Sequence, residues 1–136
     1  MISMVRAALV LVFVCGSMSL SIAAERAGDS RFYDSLRRLD PATRLDQICD
    51  YEAMLRIDRD SNPFHPDRAK AEVLSTPQRT SNSITTSGGA FRSNGRWYSL
   101  SYTCKTNPDH LTVTYFHYQL GKLIPISEWS RYGLWR

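Results

Sequence analysis

One stretch of the chain decides the fold, and it reads Arg96-Trp97-Tyr98-Ser99-Leu100-Ser101-Tyr102-Thr103-Cys104. Through its second half, large side chains alternate with small polar ones. This period of two is typical of a β-strand, because successive side chains of a strand point to opposite faces of the sheet. The larger residues of the stretch then share one face: Tyr98, Leu100, Tyr102 and Cys104.

The surrounding residues 83–121 extend this strand into a predicted antiparallel meander. Ser93-Asn94-Gly95 is a strong hairpin signal before the central strand, and Thr106-Asn107-Pro108-Asp109 is a second turn after it. Gly88-Gly89 interrupts the first strand, which indicates a bulge or a close approach of another backbone. We therefore expect three strands, with residues 123–125 as a short fourth.

For the third strand, residues 111–120, the sequence pattern does not decide which face points inward. Two patterns compete, one with Val113, Tyr115 and His117 inward and one with Phe116 and Tyr118 inward. Either both faces are covered, or a bulge switches the inward face midway. We favour the bulge, because the chain has few helices with which to cover a sheet twice.

Two or three helices are predicted before the sheet. Residues 29–39 carry an apolar stripe at helical spacing, and Asp40-Pro41 then provides an N-cap and a first helical residue for a second helix that ends near Asp58. Residues 66–74 read as a third, short helix. The predicted fold class is α+β, with two or three N-terminal helices packed on an antiparallel three- to four-stranded meander.

The N-terminus has the pattern of a cleavable signal peptide. Arg6 precedes an apolar run at residues 7–14, and Ser21-Ile22-Ala23 fits the small-x-small cleavage pattern. We expect a signal peptide at residues 1–23, a single domain at residues 24–136, and a periplasmic or secreted location. The apolar run is too short for a span, so no transmembrane segment is expected after cleavage. A retained anchor and lipidation at Cys15 are the alternatives.

Cys49 and Cys104 are the cysteines left after cleavage. An exported protein with an even number of cysteines is expected to form disulfides. Cys49 lies on the apolar stripe of the second helix, where it could reach a cysteine of the sheet. The sequence therefore predicts a Cys49–Cys104 bridge, with two buried free thiols as the alternative.

Charge is modest overall, at +4, but it is unevenly placed. Residues 24–60 have seven Arg and nine acidic residues, a net of −2, whereas residues 61–136 have nine Lys or Arg and four acidic residues, a net of +5. No basic cluster is dense enough for a nucleic-acid arm. We expect no nucleic-acid partner. The sequence does not identify a partner: an envelope protein or an anionic envelope polymer is a candidate, and a merely solvated basic surface is the favoured interpretation.

No motif for a cofactor, a metal or a nucleophile occurs in the chain. The histidines His65, His110 and His117 have no metal-ligand spacing, and the first two are expected to be exposed bystanders. No P-loop, dinucleotide fingerprint or G-x-S-x-G elbow is present. The sequence predicts no cofactor and favours a non-catalytic binding module. A small hydrolase that uses scattered carboxylates and His117 is the alternative, although Asp46, Asp50 and Glu52 read as the solvent face of a helix.

The hairpin around Asn94-Gly95 contains the candidate ligand contacts. Arg92 and Arg96 could bind carboxylates or phosphates, and Trp97 could offer stacking area. The interpretation that the sequence favours over a ligand site is a tight hairpin with a solvated charged tip and with Trp97 packed on a neighbouring strand.

Several segments in order along the chain resemble one family. They are Arg44-Leu45-Asp46-Gln47-Ile48-Cys49, His65-Pro66-Asp67-Arg68-Ala69, Gly88-Gly89-Ala90-Phe91-Arg92, the Arg96–Cys104 strand and Gly133-Leu134-Trp135. Together they resemble the domain of unknown function 930 family, small exported proteins of Gram-negative bacteria. The resemblance implies no activity and no site residues. It implies that the two cysteines and the Arg-Trp-Tyr strand belong to the family framework.

Overall fold

A computed structural model of the chain describes residues 29–60 and 63–136. The expected signal peptide and the first residues of the expected domain lie outside the described residues. Two compact units divide at Phe32 and Tyr33, and the sheet belongs to the second, Tyr33–Arg136. The described part contains α1 (residues 29–36), α2 (Pro41–Asp60) and α3 (Ile126–Tyr132). None of these helices has the length and apolar character needed to cross a membrane.

Helix α2 begins where the sequence predicts. Asp40 accepts a hydrogen bond at 3.0 Å from the backbone N–H of Thr43, as an N-cap residue does. Hydrogen bonds from Thr43 hold the pKa of the Asp40 carboxyl below its ordinary value. One face of the helix is buried, and its residues are Leu45, Ile48, Cys49, Ala53 and Ile57.

The sheet is antiparallel, with strand order β1-β3-β4-β5 and with β2 paired to β3. Its strands are β1 (Pro66–Lys70), β2 (Gln78–Arg79), β3 (Ser83–Ser93), β4 (Arg96–Thr106) and β5 (Val113–Leu123). The last three form the predicted meander. Asn94 and Gly95 join β3 to β4 with φ values of 51° and 71°, as a two-residue hairpin turn of this type requires. The predicted α+β class is confirmed.

Strand β1 overturns one prediction, because residues 66–74 do not form a third helix. β1 pairs antiparallel with β3, and Ala69 lies opposite Phe91. The segment is mostly polar, so its own pattern does not indicate a strand. Pairing with β3 satisfies its backbone and buries Ala69, which outweighs local helix propensity.

The glycine pair of β3 allows β1 and the following loop to approach closely. A Cβ atom on Gly89 would lie 2.8 Å from the carbonyl oxygen of Lys70, and one on Gly88 would lie 2.5 Å from the backbone nitrogen of Ser75. The β3–β4 register also shifts between Thr86 and Gly89. The predicted bulge and the predicted close approach are both confirmed.

The two faces of the sheet are covered by different parts of the chain. Helix α2 packs on the first face, where Cys49 and Cys104 form a disulfide with Cα atoms 5.9 Å apart. The predicted bridge is therefore confirmed. Near the hairpin, the second face is covered by the C-terminal segment. There Trp97 belongs to a buried cluster with Ala90, Ile124, Trp129 and Leu134.

Strand β5 has one inward face, on the side of α2. Phe116, Tyr118 and Leu120 are half-buried, whereas Tyr115 and His117 are exposed. The β4–β5 register shifts only near the two ends of the strand. A bulge therefore does shift the register of β5 with β4, but it lies beside Val113. The predicted position, midway along the strand, is wrong.

Candidate functional site

The three candidate contacts of the hairpin do not lie together on an exposed surface. Arg92 lies directly opposite Trp97 in the β3–β4 register, on the face that the C-terminal segment covers. Trp97 is fully buried and Arg92 is 9% exposed. Arg96 alone is exposed, beside the turn. Trp97 therefore packs in the interior, where a ligand cannot stack on it.

Arg92 is held by a carboxylate from strand β1. Its Nε and Nη2 atoms donate to the two carboxylate oxygens of Asp67 at 2.9 and 2.7 Å. Such a bidentate pair combines charge with fixed geometry. Arg92 accordingly holds the pKa of the Asp67 carboxyl below its ordinary value.

Two indole rings lie close to the Arg92 guanidinium and to each other, with their centroids 5.4 Å apart. The guanidinium carbon lies 5.9 Å from the ring centroid of Trp97 and 5.8 Å from that of Trp135. The Nε1–H of Trp97 donates to the backbone carbonyl of Trp135 at 2.7 Å, which anchors the C-terminal segment over the hairpin. The two distances from the guanidinium carbon to the ring centroids fall within the range of cation–π attraction.

Trp135 is the exposed aromatic residue of this cluster. Its side chain is 45% exposed, and the Lys70 ammonium lies 5.5 Å from its ring centroid. We name Asp67, Lys70, Arg92, Trp97 and Trp135 together the Trp135 corner. The corner presents an indole beside an ammonium group. Such a surface can stack on a flat ring and attract an anion.

Sequence reasoning missed both Lys70 and Trp135. Lys70 lies in the segment that was wrongly predicted as a helix, and Trp135 was singled out only within the segment Gly133-Leu134-Trp135. The available signal was the presence of the tryptophans Trp97 and Trp135, because a basic residue is often placed over an aromatic ring.

The stability of the corner yields a prediction for the arginines. Arg92→Ala is expected to lower the free energy of unfolding by about 1–3 kcal/mol, because it removes two charge-assisted hydrogen bonds. Arg96→Ala, at an exposed site, is expected to change it by less than about 0.5 kcal/mol. Urea titrations of both variants measure the difference. Equal stability of the two would contradict the structural role of Arg92.

A second candidate region lies on the uncovered part of the sheet around His117. A shallow concavity of about 260 Å³ is lined by Thr85, Ser101, Thr103, His117 and Gln119 among others. No carboxylate lies among its lining residues in the described part of the chain. His117 therefore has no acidic partner there to act with in general acid–base chemistry.

Two other titratable residues are structural, His110 in the interior and Asp50 half-buried between α2 and the sheet. His110, expected to be exposed, is 5% exposed because its Nδ1 atom lies 2.8 Å from the carbonyl oxygen of Pro41 and its Nε2 atom 2.7 Å from that of Ser81. Asp50, expected on a solvent face, accepts a hydrogen bond from the Tyr102 hydroxyl at 3.0 Å. Burial between α2 and the sheet raises the pKa of Asp50 to about 7.

Neither His65 nor a cluster of metal-binding side chains provides a further candidate site in the described part of the chain. His65 is exposed, as expected, and its Nδ1 atom lies 2.7 Å from a carboxylate oxygen of Asp58. Within residues 29–60 and 63–136, no group of three His, Cys, Asp or Glu side chains could hold a metal ion.

Comparison with known proteins identifies the family. A family model, described as a domain of unknown function (DUF930), matches residues 36–134. No curated protein and no solved structure matches the chain. The matched range contains the whole sheet and both cysteines of the disulfide, as well as every residue of the Trp135 corner except Trp135 itself. Since the match covers well over half of its length, the chain belongs to the DUF930 family.

Proposed function

We propose that this protein is a non-catalytic binding module of the bacterial cell envelope. Its signal peptide, residues 1–23, would direct export and leave a mature domain at residues 24–136. The Cys49–Cys104 disulfide supports this location, because disulfides form and persist in oxidising compartments such as the periplasm.

The Trp135 corner is the proposed binding surface. One observation carries the proposal, namely the half-exposed Trp135 ring, with the Lys70 ammonium 5.5 Å and the Arg92 guanidinium carbon 5.8 Å from its centroid. Because Asp67 already occupies the guanidinium fork of Arg92, the positive charge available to a ligand comes from Lys70. Arg92 positions the ring and does not itself need to touch the ligand.

The chemistry of the corner favours an anionic glycan as the ligand. An indole face offers stacking area to a sugar ring, and the adjacent Lys70 ammonium attracts phosphate or carboxylate groups. An anionic envelope polymer combines both features. A neutral glycan would lack the charge contacts, and an unglycosylated anion would lack the ring.

A direct test is titration of the purified chain with lipopolysaccharide, which is an anionic glycolipid, and with neutral dextran. We expect a change in tryptophan fluorescence on addition of lipopolysaccharide and no change with dextran. We also expect the affinity to fall as salt is added, because exposed charges are screened. Equal affinity for the two polymers, or no binding to either, would contradict the proposal.

The alternative, a small hydrolase that uses His117, has less support. The concavity around His117 is lined mainly by hydroxyl and amide groups. A hydrolase of that kind needs a carboxylate within hydrogen-bonding reach of the histidine or of the substrate. Loss of a hydrolytic activity in His117→Ala would favour the alternative.

A further inference from the structure

Strand β5 lies at one edge of the sheet. It pairs with β4 on one side, and no strand in the described part of the chain pairs with its other side. Its register with β4 is continuous from Tyr115 to Leu120. The outer edge of such a strand offers backbone N–H and C=O groups to an additional strand.

The middle of this edge lacks the features that usually protect a sheet from pairing with another strand, although Lys122 and two register shifts lie near its ends. Residues 113–121 contain no Lys, Arg, Asp, Glu or Pro. The two register shifts lie near the ends of β5 and leave its middle regular. Monomeric sheets commonly place charges, prolines or bulges along their edges to prevent association. The middle of β5 has none of these.

Exposed apolar side chains occur on and just after β5. Tyr115 and Leu123, near the two ends of β5, are 50% and 49% exposed, and Ile126, three residues beyond the strand, is 62% exposed. These three are half of the six large hydrophobic residues that are exposed in the described part. A second strand on this edge would cover part of this apolar surface.

We propose that β5 pairs antiparallel with β5 of a second copy of this chain. A two-fold axis perpendicular to the sheet, placed at a residue between Tyr115 and Leu120, sets each residue opposite one on the same face. The half-buried face of Phe116 and Leu120 then continues across the interface. The exposed face of Tyr115, His117 and Gln119 meets its own copy.

Self-pairing fits this edge better than pairing with a foreign peptide. The two strands are equal in length and alternate in the same way, and neither carries a formal charge over residues 113–121. No like charges are therefore brought together. An isologous contact of this kind closes on itself as a dimer.

Sedimentation equilibrium of the purified chain over a wide concentration range tests the proposal. The expected mass at high micromolar concentration is twice that of one chain. The double variant His117→Lys, Gln119→Lys places positive charges on the β5 edge of each copy, and is expected to be monomeric. The matched control Thr85→Lys, Thr103→Lys places the same charges on the same face of the inner strands β3 and β4, and is expected to remain dimeric.

Hydrogen exchange gives a second readout that does not depend on a variant. Those amides of residues 115–120 that point away from β4 are expected to lose protection when the wild-type chain is diluted, while the amides that bond to β4 keep it. A wild-type chain that is monomeric at every concentration would overturn the proposal and favour an extended peptide as the partner of β5. An edge variant that stays dimeric, or a control that also dissociates, would overturn it as well.

Discussion

Replacing Cys49 and Cys104 together by alanine is expected to lower the free energy of unfolding by about 4 kcal/mol, from loop closure in the chain-entropy model. The bridge links residues 55 positions apart and joins α2 to the central strand β4. Both sulfur atoms belong to residues that are 0% exposed. For a domain of this size, the midpoint of thermal unfolding would fall by roughly 15–30 °C.

Thermal unfolding followed by circular dichroism measures the effect. The wild-type chain under reducing conditions provides the control and should resemble the double variant. An unchanged midpoint in both samples would contradict the role assigned to the bridge in holding α2 on the sheet.

Stability is also expected to decrease as the pH rises from about 4 to about 7, because of Asp50. Burial raises the pKa of its carboxyl to about 7 in the folded chain, while the unfolded chain keeps an ordinary value near 4. The folded state therefore favours the protonated form. The contribution of protonated Asp50 to the free energy of unfolding is complete below about pH 4. It is lost as the pH rises through about 7, and the total loss is up to about 4 kcal/mol.

The variant Asp50→Asn isolates this contribution, because the amide stays neutral and its oxygen can still accept the Tyr102 hydroxyl bond. Its free energy of unfolding should show a weaker decrease over this pH range than that of the wild type. At about pH 8 the variant is expected to be the more stable of the two. Urea titrations across the range measure both slopes. Parallel slopes would show that Asp50 is not the group responsible.

The meander was predictable because its signals are local. The alternation of residues 98–104 defines β4, and Asn94-Gly95 specifies the turn through backbone angles that few residues adopt. Asp40-Pro41 marks the start of α2 in the same way. The disulfide followed from the count of cysteines and from the position of Cys49 on a helical stripe.

The rest depended on contacts between distant segments. β1 is a strand because β3 offers it a partner, and its own sequence carries no alternation. His110 is buried because two carbonyl groups, from Pro41 and Ser81, converge on its ring. These contacts cannot be read from the residues beside His110 in the sequence.

The candidate site also combines residues that the local sequence predicts with contacts that only the folded chain makes. Arg92 and Trp97 could be found from the hairpin, since they flank one turn. Their burial could not be predicted, because it results from the C-terminal segment that folds over them and supplies Trp135. The corner joins residues 67–70, 92–97 and 135, which only the folded chain brings together.

Binding of lipopolysaccharide by matched variants tests the central claim most directly. Lys70→Ala, Trp135→Ala removes the ammonium–indole pair of the corner. Lys105→Ala, Tyr115→Ala removes a similar pair, in which the ammonium lies 5.4 Å from the ring centroid, near the opposite end of β4. The proposal predicts at least a roughly tenfold loss of affinity for the first variant, about 1.4 kcal/mol, and little change for the second. Equal affinities of the two variants would contradict it.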